Sequence, residues 1–339
     1  MLDLRFITEN LDLVRQNCRN RGGEIDLDAL VRLDEARRAL IAEQQAVQEQ
    51  RNKLAREMKD RKPSDAERAL GKELKERDAA LEEELERTKV ELAALRALVP
   101  NLTHPDAPIG KTDEDNRELR VFGGKPSFDF KPLDHVDLAA KHDLIDFESA
   151  AKVTGQKFYY LKNEMVLIEQ ALIRFALDVL RRKGYTLFQT PDLARAAVAD
   201  GLGFNPRGAE TNIYSVANTD LVLVGTAEIT LGGLHLNEIL DGASLPRRYC
   251  GLSHCFRVEG GGWGEITSTS NCTDYQARRL GVRFREGEGE KTRFCHMLNG
   301  TAVALSRAPV ALLENHQRAD GSIAIPKALQ PYTGFARIG

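Results

Sequence analysis

The chain has 339 residues, with 48 Lys and Arg against 51 Asp and Glu and a formal net charge of −3, so it is not a uniformly basic nucleic-acid binder and any polyanion site on it must be a local patch. Its length suits two domains, each with its own core. The five cysteines, Cys18, Cys250, Cys255, Cys272 and Cys295, form no Cys-x-x-Cys pair, and an odd number excludes a full disulfide framework, so a reducing, cytoplasmic setting is expected. Met1 to Phe6 lacks a basic region before an apolar run, and no window has the length and apolarity of a membrane span, so no membrane partner is expected.

Leu2 to Arg21 reads as a short strand or coil followed by an amphipathic helix, with Leu11, Val14 and Cys18 on one face and Gly22-Gly23 ending it. From about Asp28, Leu33, Leu40, Val47 and Leu54 recur every seven residues among charged positions. Lys62-Pro63-Ser64 stops this helix, and Ser64-Asp65-Ala66-Glu67 offers a capping box for the next. The second helix carries Leu74, Leu81, Leu85, Leu92, Leu95 and Val99 in steps of three, four and seven. Two matching helices joined by a short turn predict an antiparallel hairpin over about 28–99, an arm roughly 45 Å long at 1.5 Å per residue. Its distal half gathers Arg51, Lys53, Arg56, Lys59, Arg61, Lys62, Arg68, Lys72, Lys75 and Arg77 against fewer acids. Such a tip is either a solvated face or a nucleic-acid contact.

The proline-rich stretch from Pro100 to Pro108 marks a boundary between an N-terminal arm, 1–104, and a second domain, 105–339. Asp134 to Lys141 and Asp146 to Val153 read as short helices, and Phe158 to Leu161 as a strand. A long amphipathic helix follows from about Asn163 to Lys183, with Leu167, Ile168, Leu172, Phe175, Ala176 and Val179 inward. Gly184 caps it, and Tyr185 to Thr190 returns as a strand ending at Pro191. Asp192 to Glu210 reads as surface helix and loop. Tyr214 to Val216 and Asp220 to Val224 are paired strands leading into Gly225-Thr226-Ala227-Glu228, where Thr226 suits the cap of a helix from Ile229 to Leu240. Tyr249 to Arg257 reads as a strand whose period of two puts Arg257 and Glu259 on one face. By itself that pair reads first as a cross-strand or solvent-exposed ion pair, and only its neighbours turn it into a binding-site candidate. Cys250, His254, Cys255 and His296 make a weak zinc set, because adjacent His254 and Cys255 point to opposite faces of a strand.

Phe256-Arg257-Val258-Glu259 resembles the strand of motif 2 in class II aminoacyl-tRNA synthetases, and Gly225-Thr226-Ala227-Glu228 resembles the amino-acid-binding loop of the seryl-tRNA synthetases. Glu265-Ile266-Thr267-Ser268 with Ser270-Asn271-Cys272-Thr273-Asp274-Tyr275-Gln276-Ala277-Arg278-Arg279 is close to that family's signature. Leu298-Asn299-Gly300-Thr301, Arg307 and Leu312-Leu313-Glu314-Asn315 resemble motif 3, and the helix, strand and proline over 163–191 resemble motif 1. The motifs follow in family order.

The resemblance implies an α+β fold: an N-terminal antiparallel coiled-coil hairpin and a class II synthetase-like antiparallel β-sheet domain flanked by helices, with the sheet incomplete. It implies a serine–tRNA ligase that joins L-serine to ATP as seryl-adenylate and passes it to tRNA-Ser. Arg257 and Arg307 are then the catalytic cations, on the α- and γ-phosphates, because charge builds on phosphate oxygens during the transfer. Val258, Glu259, Ile266 and Thr267 complete the ATP site with Glu265 and Ser268. The last two also hold Mg²⁺, a hard ion suited to carboxylate and hydroxyl oxygens. Thr226, Ala227, Glu228 and Thr301 form the serine pocket. Arg51, Lys53, Arg56, Lys59, Arg61, Lys62, Arg68, Lys72 and Lys75 grip the long variable arm of tRNA-Ser, and the motif 1 region forms a homodimer interface.

One departure is large. Between Glu259 and Glu265 stand only Gly260-Gly261-Gly262-Trp263-Gly264. The family has a far longer stretch there, with the motif 2 loop, its returning strand, an aromatic on which adenine stacks and a glutamate that binds serine. Stacking on an aromatic is worth about 1 to 3 kcal/mol and a hydrogen bond to a charged group about 1.5 to 3. Losing both weakens substrate capture by a factor on the order of 10² to 10⁴. A non-catalytic relative kept for tRNA binding or dimerisation is therefore the alternative reading.

Overall fold

The computed structural model of the chain describes all residues except 60, 62, 111, 125, 205–212 and 258–265, and only the backbone of 113. The described residues fall into two compact units, Met1–Arg117 and Glu118–Gly339.

The first unit contains α1 (Leu4–Glu9), α2 (Leu11–Asn20), α3 (Leu27–Glu57) and α4 (Asp65–Leu98). Where the sequence suggested a strand or coil at the start there is a helix, because Asp3 accepts from the backbone N–H groups of Arg5 and Phe6 and so caps α1. Helices α3 and α4 form the expected hairpin. Val47, Leu54, Leu74 and Leu81 are buried between them, while Leu33 and Leu40 of the heptad series are half-buried. Each fully buried leucine of this kind is worth about 1.5 to 3 kcal/mol. Arg77 bonds Glu43 across the hairpin at 2.7 Å, and Arg51 pairs with Asp78. At the turn the capping box is complete: the Ser64 hydroxyl accepts from Glu67 N at 3.3 Å, and the Glu67 carboxylate accepts from Ser64 N at 2.7 Å. At the base of the hairpin, buried Asn17 donates to Asn101 O and accepts from Thr103 N, tying α2 to the chain that follows α4.

The second unit contains α5 (His135–Lys141), β1 (Ile145–Asp146), α6 (Phe147–Thr154), β2 (Tyr160–Leu161), α7 (Glu164–Arg182), β3 (Thr186–Gln189), β4 (Leu193–Arg195), α8 (Ala196–Gly201), β5 (Leu221–Leu223) and α9 (Ala227–Gly232). It continues with β6 (Ile239–Asp241), β7 (Tyr249–Leu252), β8 (Thr269–Thr273), α10 (Tyr275–Leu280), β9 (Arg283–Arg285), β10 (Arg293–Phe294) and β11 (Met297–Gly300). It closes with α11 (Ala308–His316), β12 (Ile323–Ala324), α12 (Gln330–Thr333) and β13 (Arg337–Ile338). Among the described residues the sheet is in pieces, one of order β10-β9-β6 and the pairs β1-β2, β3-β7, β4-β5, β8-β11 and β12-β13. β3-β7 and β6-β9 are parallel, and the remaining pairs are antiparallel. The strands either side of 258–265, β7 and β8, each have one partner among the described residues.

Two cores hold this unit together. Leu138, Leu144, Met165, Ile168, Leu313 and Ile323 fill one, around α5, α7 and α11. Ala199, Val222, Val224, Ile229, Ala277 and Leu280 fill the other, around α8, α9 and α10. Three local readings need correction. Leu167 is 50% exposed, and Met165 and Ala171 take the inward places on α7. The 192–210 stretch contains strand β4 as well as a helix. The helix expected to run to Leu240 stops at Gly232, where Gly232-Gly233 disfavours continuation. A Cβ at 232 would stand 2.6 Å from Leu202 Cδ2, so this glycine lets α8 and α9 meet. No helix among the described residues is long and apolar enough to cross a membrane.

Candidate active site

Strands β4 and β5 deliver buried Val224 to the loop Gly225-Thr226-Ala227-Glu228. Thr226 is the N-cap of α9, its hydroxyl accepting from Glu228 N at 3.3 Å, so this loop has a fixed conformation before any ligand arrives. The expected strand from Tyr249 to Arg257 is shorter than read. It ends at Leu252, where the Ser253 hydroxyl donates to His254 O and the His254 ring meets Asp192 at 3.1 Å. Local side-chain bonds of this kind compete with a ladder. Strand parity therefore does not orient Arg257. Two other bonds do: Phe256 N donates to Val224 O at 2.9 Å, and Arg257 Nε donates to Gly225 O at 2.9 Å.

Glu228 is the centre of the cluster. Its Oε1 accepts from Gln276 Nε2 of α10 and from Asn299 Nδ2 of β11, both at 2.7 Å. Burial pushes its carboxyl above the usual range, opposed by the Gln276 hydrogen bond and the Arg257 guanidinium. A half-buried carboxylate near a guanidinium, with one oxygen committed, is an acceptor for a ligand ammonium. Gln276 and Asn299 were not singled out by sequence reasoning. Both stand inside the quoted motifs, but no periodicity links them to Glu228.

Thr301 N donates to Ser268 O at 3.0 Å, and Gly300 pairs with Thr269, so motif 3 runs beside the 266–268 segment. Ile266, Thr267, Ser268 and Thr301 are all exposed. Arg307 is the N-cap residue of α11, with Pro309 in the first turn as expected, and its side chain is exposed. Its charge favours ionisation of the Tyr159 phenol, whose pKa burial and Glu169 push up. Arg257 and Glu228 are thus joined in one cluster by described contacts, while Arg307 borders the other core, where Ala308 packs. Val258, Glu259 and Glu265 lie outside the described residues, as does Lys62 of the arm.

On the arm, Arg61 bonds Glu67 at 2.9 Å, Arg68 meets Asp65 at 3.3 Å and Lys72 meets Glu76 at 3.8 Å. Lys53, Arg56, Lys59 and Lys75 are exposed and pair with no described carboxylate.

The seryl-tRNA synthetase N-terminal domain is matched by residues 1–103. A serine–tRNA ligase of Treponema denticola is 42% identical over 423 positions that cover all of both chains, and one of Rubrobacter xylanophilus is 43% identical over 421 positions, covering 100% of this chain and 99% of the relative. Set against the 339 residues here, 423 positions leave at least 84 with no counterpart in this chain, a shortfall in keeping with the short interval between Glu259 and Glu265. Among solved structures, a seryl-tRNA synthetase of Pyrococcus horikoshii complexed with ATP matches with a TM-score of 0.91 at 34% identity, covering 100% of this chain and 99% of that one. A full-length match at this identity, over the fold and motif order described above, establishes that the chain belongs to the seryl-tRNA synthetase family.

Proposed function

We propose that the chain activates L-serine with ATP and transfers it to tRNA-Ser. The observation that carries this reading is the Glu228 cluster, a half-buried carboxylate held by Gln276 and Asn299 near Arg257, in a chain matched over its whole length by serine–tRNA ligases. Glu228 accepts the serine ammonium, with Thr226, Ala227 and Thr301 completing the pocket. Arg257 takes the α-phosphate and Arg307 the γ-phosphate, and Val258, Glu259, Ile266 and Thr267 line the ATP site. Glu265 and Ser268 would hold Mg²⁺ there. The Ser268 hydroxyl fits a hard cation and bonds to no described residue, and the ion would supply neutralisation of phosphate charge when bound. Residues 1–104 serve as the tRNA-gripping arm and 105–339 as the catalytic domain, in the cytoplasm. A homodimer forms through about 163–191, where Val166 and Leu167 leave apolar side chains 40% and 50% exposed on α7.

Serine-dependent exchange between ATP and pyrophosphate tests the reading. Exchange is expected from the unaltered chain and is lost in Arg257→Ala and Arg307→Ala. With the stacking aromatic and one serine-binding glutamate absent, kcat/KM is expected to be lower than in a full-length relative by a factor on the order of 10² to 10⁴. Salt-sensitive tRNA binding without any exchange would overturn the ligase and leave a binding protein.

A further inference from the structure

Gln276 is 6% exposed, yet nothing in its position within α10 requires a polar side chain. Its amide nitrogen donates twice, to Leu202 O at the end of α8 at 3.2 Å and to Glu228 Oε1 at 2.7 Å. The Leu202 carbonyl is a pure acceptor and so is the ionised Glu228 carboxylate, which fixes the amide orientation: the reversed amide would set oxygen against oxygen on both sides. The bond to a main-chain carbonyl therefore fixes the donor that meets the carboxylate. Asn299 adds a second donor to the same oxygen, and Oε2 bonds to no described residue.

We propose that Gln276 is a positioning residue for serine activation, locking Glu228 Oε1 so that Oε2 is presented to the substrate ammonium. The proposal rests on the serine-binding reading of Glu228. The hydrogen bond also favours the ionised carboxyl against burial. Two further described groups face that carboxyl. Arg257 favours its ionisation, and Cys272, from β8, is a thiol whose own pKa is raised by burial and then by the Glu228 charge.

The test is Gln276→Met, which keeps the side chain's length and removes the donor, with the shorter amide of Gln276→Asn as the second variant should the first fold poorly. In ATP–pyrophosphate exchange the KM for serine is expected to rise roughly tenfold or more, from the loss of a hydrogen bond to a charged group. The KM for ATP stays within about twofold, and the acid limb of kcat/KM for serine moves to higher pH. Independently of activity, carboxyl carbon NMR of ¹³C-glutamate-labelled protein, assigned with Glu228→Gln, should show the Glu228 midpoint moving up in Gln276→Met. An unchanged midpoint with a lowered melting temperature means that Gln276 is only a brace, and overturns the proposal. Absence of both exchange and calorimetric serine binding in the unaltered chain would instead overturn the serine reading on which it rests, while the NMR midpoint still reports whether Gln276 acts on Glu228.

Discussion

Gly251 of β7 passes so close beneath Ala227 of α9 that a Cβ at position 251 would stand 3.1 Å from the Ala227 Cβ, with Thr190 Cγ2 at 2.9 Å and Leu231 Cδ1 at 3.1 Å. The crossing sets the height of the loop that carries Thr226 and Glu228 above the strand that leads to Arg257. Gly251→Ala should cost about 1 to 3 kcal/mol of stability through overpacking. It should also raise the KM for serine, because α9 moves and takes Glu228 with it. Thermal melts and exchange kinetics on the same preparation check both. An unchanged melting temperature would show slack at the crossing.

Glu228 opposes stability and function to one another. Its folded pKa is raised, so the native chain holds this proton more tightly than the unfolded chain does, and stability falls as pH rises from the ordinary carboxylate value through the folded one. Above the folded pKa the cost is present in full. Glu228→Gln keeps an oxygen for Gln276 and Asn299 and removes the half-buried charge. The variant should be at least as stable at pH 7, lose that advantage below the ordinary carboxylate range, and fail in serine activation. Urea unfolding at the two pH values, with exchange assays, measures this. A variant less stable at pH 7 would mean that Arg257 and Gln276 more than offset burial.

What is legible in the sequence is local. Leucines at seven-residue spacing and Ser64 three before Glu67 define the hairpin and its cap, because a helix repeats its environment along itself. Arg307 before Pro309 marks the start of α11 for the same reason. Glu228 meets Gln276 across 48 residues and Asn299 across 71, and no period spans such separations. The family motifs name the segments but not which side chains touch. Tyr249 to Arg257 has a strand's composition, yet only Tyr249 to Leu252 pairs, since a ladder needs a neighbour as well as a propensity. In α9 the leucines continue past Gly232 while the helix does not, because the Gly232-Gly233 pair outweighs them.

At the arm's turn, Arg61 and the Ser64 backbone N–H hold the Glu67 carboxyl far below the usual carboxylate range. A depressed folded pKa places its contribution above the ordinary carboxylate pKa, and it is lost only as pH falls through the folded value. The cap should thus persist through mildly acidic conditions. Ser64→Ala removes the acceptor for Glu67 N and should cost about 1 kcal/mol, read by circular dichroism during urea unfolding. No change there would assign the turn's stability to the Arg61–Glu67 pair.

The arm's cations divide into two kinds, and tRNA binding should separate them. Arg51 and Arg77 are engaged with Asp78 and Glu43 of the facing helix, whereas Lys53, Arg56, Lys59 and Lys75 are exposed and pair with no described carboxylate. Each of the latter that neutralises a phosphate releases counterions, so its replacement by alanine should flatten the plot of log affinity against log salt by about 0.7 to 0.9 for each phosphate no longer neutralised. Replacing Arg77 should leave that slope unaltered and lower the melting temperature of the arm slightly, as an exposed pair is worth about 0.2 to 1 kcal/mol. Filter binding of tRNA-Ser across a salt series decides it. If Arg77→Ala changes the slope as much as Lys59→Ala, the inter-helix pair opens on binding and the division between the two kinds fails.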